Sequence, residues 1–144
     1  MLENPKVNIK IKLALLWASA TFCYLYGDYF ELYTPDKVNS LITGENVLDS
    51  PTKLLIASII LAIPSVMVAA SIILKPKINR MLNIVFGIMF TLMMVFIGIN
   101  SMTEWYSFYV FLAFLESIIT FLIVWYAWRW PTAHIRTVGN NKQR

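Results

Sequence analysis

Residues 105–128 read WYSFYVFLAFLESIITFLIVWYAW, an apolar run with one acid, Glu116, near its middle. At 1.5 Å per residue a helix of this length extends about 36 Å, against a hydrocarbon core of roughly 30 Å. Trp105, Tyr106 and Tyr109 flank one end, and Trp125, Tyr126, Trp128 and Trp130 the other. Amphipathic rings of this kind settle at headgroup level. Pro131 stops the helix, and Arg129 places a cation at its C-terminus. Glu116 therefore sits about 16 Å from either end. A carboxylate at that depth costs about 2.5–3.5 kcal/mol on insertion scales, so it must be protonated, paired or wet.

Composition extends this reading to the whole chain. With 58% hydrophobic and 14% charged residues in a chain of 144, the sequence is too apolar for a soluble fold of its size and reads as one domain. The lone Cys23 supplies neither an internal disulfide nor a dithiol relay. The single histidine, His134, lies in the tail, so no His/Cys metal cluster is available and no cofactor is expected.

Three further spans precede the quoted one. After a polar lead carrying Lys6, Lys10 and Lys12, the first covers about 13–33, with Asp28 and Glu31 near its far end. The apolar run is too long for a signal peptide, and no small-residue cleavage site follows it. Residues 34–53 form a polar outer loop with a short helix, read as lying on the membrane surface or as an ordered loop. Thr34 is its expected cap, Pro35 its first residue and Gly44 its terminator. Ser50-Pro51 restarts a helix whose span covers 54–74, interrupted by Pro64. A basic turn, 75–80, leads to the third span at 81–99, and a tight turn, 100–104, leads to the fourth at 105–128. The tail, 132–144, is polar and expected to be mobile.

Charge sets the expected orientation. Ten of the twelve Lys and Arg residues fall in the lead, the 75–80 turn and the segment after the fourth span, leaving only Lys37 and Lys53 on the other side. That bias places both termini in the cytoplasm. It also accounts for the net charge of +4 better than nucleic-acid binding does. Short turns force antiparallel neighbours, so the expected fold is all-α: an integral membrane four-helix bundle of up-down-up-down topology.

Small residues mark the faces expected to turn inward, since membrane helices pack where backbones approach. The seams are Ala14, Ala18, Thr21, Leu25 and Asp28 on the first span; Ser58, Ala62, Ser65 and Ala69 on the second; Gly87, Thr91, Met94 and Gly98 on the third; and Ala113, Glu116, Thr120, Ile123 and Ala127 on the fourth. Both intramembrane acids fall on a seam. Depth from the helical rise predicts a polar layer of Tyr24, Ser65, Thr91 and Glu116 near mid-bilayer, with Asp28 above it and reachable from outside. These five are the candidate ligand-binding or proton-carrying residues. The bland alternative is that a protonated Glu116 is structural glue, worth about 0.6 kcal/mol. The methionines read as packing, the outer tyrosines as an interface belt and Cys23 as a small filler.

The segments CYLYGDYFELYTP (Cys23 to Pro35), KPKINRMLNIVFGI (Lys75 to Ile88) and IVWYAWRWP (Ile123 to Pro131) carry a resemblance covering residues 7–131. The chain resembles a family of small four-span bacterial membrane proteins of unknown function, similar in architecture to the broader DoxX-like group. That likeness implies a bacterial cytoplasmic (inner) membrane location. Some DoxX-like proteins are implied to be membrane partners in sulfur and quinone redox systems, but this chain lacks the cysteine pairs and haem-ligand histidines such a role needs.

Three functions follow as expectations. The first is a binding or accessory module holding an apolar or lipid-like small molecule near Asp28 and Glu116. The second is a proton-coupled transporter using Glu116. The third is a membrane enzyme with Glu116 or Asp28 as general acid or base and Tyr24 as its only plausible second group. Expected partners are the lipid bilayer and an apolar ligand, with a second copy of the chain admissible and nucleic acid not expected.

Overall fold

The computed structural model describes residues 5–131; the tail expected over 132–144 lies outside the described residues. They form five helices: α1 (Ile9–Glu31), α2 (Lys37–Thr43), α3 (Pro51–Ile73), α4 (Pro76–Asn100) and α5 (Ser107–Trp128), the last preceded by a 3-10 turn at Glu104–Tyr106. No strand occurs among the described residues. Four of the helices, all but α2, are long and apolar enough to cross a membrane.

Local chemistry explains where they start. The Asn8 side chain accepts a hydrogen bond from the Lys10 N–H at 2.9 Å and caps α1. Ser50 does the same for α3 through the Lys53 N–H at 3.3 Å, with Pro51 in the first turn. Helix α4 begins at Pro76, so of the residues 75–80 expected to form a basic turn all but Lys75 are already helical. Helix α2 ends at Gly44, in the left-handed region at φ 76°. Its start differs from expectation. The Thr34 hydroxyl donates back to the Glu31 carbonyl at 2.8 Å, closing the end of α1, and Asp36, at φ 59°, turns the chain into α2 instead.

Contacts at the two ends of the bundle fix which helix termini lie together. At the basic end, Lys10 Nζ donates to the Ile72 and Leu74 carbonyls at 3.0 and 2.7 Å. Arg80 donates to the Trp128 carbonyl at 3.2 Å. At the acidic end, the Tyr106 hydroxyl donates to Glu31 Oε1 at 3.3 Å, and Lys37 pairs with the same carboxylate at 2.6 Å. Helix α5 packs most closely on α4, α1 lies against both α3 and α5, and the backbones of α3 and α4 approach closely at few points.

The inward faces agree with expectation on two helices and depart from it on two. On α5, Ala113, Glu116, Thr120, Ile123 and Ala127 are all buried. On α4 the buried face includes Gly87 and Met94, and it extends through Asn79, Asn83 and Phe90. On α1 it is Leu13, Ala14, Trp17, Ala20, Tyr24 and Gly27; Ala14 of the expected seam is buried, but further along the helix the buried face runs about one residue before the seam, so Leu25 is exposed. On α3 it is Pro64, Met67 and Ser71, and the expected seam residues Ser58, Ala62, Ser65 and Ala69 are exposed.

Large side chains cause the rotation. Trp17 meets Phe90 edge-on at 5.9 Å between ring centroids, and Tyr24 lies 5.8 Å from the same ring. These aromatics bury more surface than a row of alanines could. Only α4 and α5 approach closely enough for small residues to govern. A Cβ added at Gly87 would lie 2.7 Å from Val124 Cγ2, and one at Gly98 would lie 3.4 Å from the Ala113 Cβ.

A buried polar cluster ties three helices at the basic end. Trp17 Nε1 donates to Asn83 Oδ1 at 2.8 Å, and the Ser71 hydroxyl reaches the same oxygen at 3.4 Å. Asn79 Nδ2 donates to the Ser71 carbonyl at 2.5 Å, and Asn83 Nδ2 donates to Asn79 Oδ1 at 2.6 Å. In a medium without water, such groups must be satisfied internally, and here they are.

Candidate functional site

Toward the acidic end the four long helices enclose a cavity of about 400 Å³. Helix α1 contributes Tyr24, Gly27 and Asp28; α5 contributes Tyr109, Leu112, Ala113 and Glu116. The opposite wall is apolar, with Ala57, Ile60 and Leu61 from α3 and Met93, Met94 and Ile97 from α4. Val47 and Leu48, from the loop after α2, complete the lining. On the apolar side the backbones of α3 and α4 make few close approaches.

Spacing explains how α1 and α5 supply the polar groups. Tyr109, Ala113 and Glu116 recur at four and three residues along one helical face, and Gly27 and Asp28 lie three and four residues after Tyr24, one turn on along its own face. A Cβ added at Gly27 would sit 3.6 Å from the Tyr109 ring, an ordinary contact, so α1 and α5 pack here at normal separation. Pro64 adds a feature on α3, since it cannot donate to the carbonyl four residues earlier, that of the lining residue Ile60.

The structure brings together three of the five expected residues. Glu116 is only 4% exposed, and its carboxyl accepts no hydrogen bond from any described residue. Tyr24 is 8% exposed, and its hydroxyl is the one fully buried side-chain polar atom without a partner among the described residues. Asp28 lines the same cavity and is exposed.

The other two residues lie elsewhere. Ser65 is on the outer face of α3, away from the cavity, because Pro64 and Met67 turn inward in its place. Thr91 is half-buried between α4 and α5. Its hydroxyl lies 2.8 Å from Thr120 Oγ1, and Thr120 in turn donates to the backbone carbonyl of Glu116 at 2.8 Å. The pair stitches two helices together one turn from the cavity and does not reach the Glu116 carboxyl.

Sequence reasoning missed Tyr109 and the methionines Met93 and Met94 as lining residues. Tyr109 stands seven residues before Glu116, two helical turns away on the same face, which was the available signal. No group of three or more His, Cys, Asp or Glu side chains able to hold a metal occurs among the described residues. The lining is two carboxyls and two phenols set in apolar walls, and among the described residues no Lys, Arg or His contributes to it. Such a site can bind and orient an apolar molecule with one polar end.

Helices of this length and hydropathy define a multi-pass membrane protein. The chain belongs to a family of unknown function, DUF6326, whose pattern matches residues 3–137. Neither the curated proteins nor the solved structures contain a match to it.

Proposed function

We propose that the protein is a small-molecule binding module of the membrane, one domain whose four long helices cross the bilayer in alternating directions. The basic end, with both termini, faces the cytoplasm. A bacterial cytoplasmic membrane as its location rests on the family resemblance drawn from the sequence. The bound molecule is largely apolar, lies among α1, α3, α4 and α5, and is oriented by Glu116, Tyr24 and Asp28.

One observation carries this reading. Two nearly buried polar side chains, Glu116 and Tyr24, line the same cavity, and neither the carboxyl nor the phenol has a partner among the described residues. Burying an unpartnered polar group costs about 1–3 kcal/mol. Structural glue would not leave its polar atoms unused, whereas a site that exchanges a bound molecule must.

Native mass spectrometry of the protein released from mild detergent tests it. Wild type should carry an extra small-molecule mass that Glu116→Gln and Asp28→Asn lose while remaining folded. Bare wild-type protein, with both variants merely less stable, would sink the reading. Proton-coupled transport is a second reading, favoured by carboxyls at two depths of one cavity, the exposed Asp28 and the buried Glu116. It predicts substrate flux in proteoliposomes that Glu116→Gln abolishes.

A further inference from the structure

We propose that the molecule held in this cavity is a lipophilic organic cation: a protonated amine or quaternary ammonium on an apolar, preferably aromatic, body. This rests on the binding-module reading and specifies its ligand class. Charge complementarity comes first. Asp28 and Glu116 both line the cavity, and none of its described lining residues is cationic. The nearby acid Glu31 is already paired with Lys37 at 2.6 Å and accepts from Tyr106 at 3.3 Å. Neither lining carboxyl forms an ion pair among the described residues, and Lys37, the cation whose field reaches Asp28, is committed to Glu31.

The rest of the lining suits the same ligand. Tyr24 and Tyr109 present aromatic surface beside the acids, and a cation over such a ring is attracted by its quadrupole. Met93 and Met94 form part of the facing wall, and their flexible thioethers pack against irregular apolar bodies. The unpartnered Tyr24 hydroxyl supplies a second polar contact, to an N–H of a protonated amine as acceptor. An anionic or zwitterionic molecule would bring negative charge against two carboxyls in a weakly screened setting, which selects against it. Entry from the bilayer is assigned to the side between α3 and α4, the apolar wall where two neighbouring helices make few close backbone approaches.

The test compares two probes of one shape on the full-length protein in mild detergent. One is phenylbutyltrimethylammonium. The other is its neutral isostere, with a tert-butyl group in place of the trimethylammonium. Each is titrated at equal mole fraction in the micelle while the melting temperature is followed. The ammonium compound should reach its half-maximal stabilising shift at a concentration about tenfold or more below that of the isostere. In the Asp28→Asn, Glu116→Gln double variant most of that difference should be lost, leaving only the smaller preference supplied by the tyrosine rings.

Equal midpoints on wild type would overturn the charge preference while leaving an apolar binding site standing. No shift from either probe, together with no copurifying mass, would remove both readings. If the double variant does not fold, the wild-type comparison decides alone.

Discussion

Replacing Gly87 with alanine should destabilise the protein through a single contact. The added Cβ would stand 2.7 Å from Val124 Cγ2, where carbon atoms ordinarily rest about 3.5–4.0 Å apart. Val124 cannot easily turn away, because a valine in a helix holds essentially one side-chain rotamer. Ile123 Cγ2 and the Thr120 carbonyl oxygen, each 3.5 Å from the new carbon, block the flanking routes. Relief must come from parting α4 and α5, the most closely packed pair, and that strains the bond between Thr91 and Thr120. Overpacking of this kind costs about 1–3 kcal/mol. Unfolding by sodium dodecyl sulfate in mixed micelles would measure it for wild type, Gly87→Ala, Val124→Ala and the double variant. The double variant should recover about 1 kcal/mol or more relative to the sum of the singles. A Gly87→Ala protein as stable as wild type, or strictly additive singles, would refute the close approach.

Three other outcomes follow from the packing. Asn83→Ala should cost about 2 kcal/mol, from two interhelical bonds of about 0.6 kcal/mol each and an orphaned Trp17 indole; the same unfolding assay, cycled with Trp17→Phe, should show positive coupling between the pair. Ser65→Leu should change stability by less than about 0.5 kcal/mol because the side chain is on the outer face, and a larger loss would return Ser65 to the interior. Tyr24→Phe should stabilise the ligand-free protein by about 1 kcal/mol, having removed a buried hydroxyl without a partner, while weakening retention of the bound molecule in native mass spectrometry.

The sequence made the long helices legible because each is a long, predominantly apolar run bounded by a proline, a serine cap or a polar turn. The face of α5 was legible for a different reason: its small and polar residues fall at one helical spacing, and α4 approaches it closely. On α3 the same rule chose the wrong face, and on α1 it held at Ala14 but not at Leu25 or Asp28. The core there is filled by Trp17, Tyr24 and Met67, whose burial depends on partners on other helices. Ser65 was misplaced by that rotation. Asn79 and Asn83 went unnoticed because Asn79 was assigned to a turn, although two asparagines four residues apart on a helix predict a shared polar face. Thr91 was correctly turned inward, but its hydroxyl serves the α4–α5 contact.

The pairing of Glu116 with Tyr24 and Asp28 around one cavity can be examined directly by thiol labelling in a Cys23→Ser background. Glu116→Cys places a thiol in the cavity; Phe114→Cys places one on the outward face of the same helix, where Phe114 is exposed. A small charged methanethiosulfonate reagent added at the acidic end should modify Glu116→Cys and leave Phe114→Cys, shielded by lipid, unmodified. Modification of Phe114→Cys with Glu116→Cys inert would put the acid on the wrong side of its helix and contradict the site.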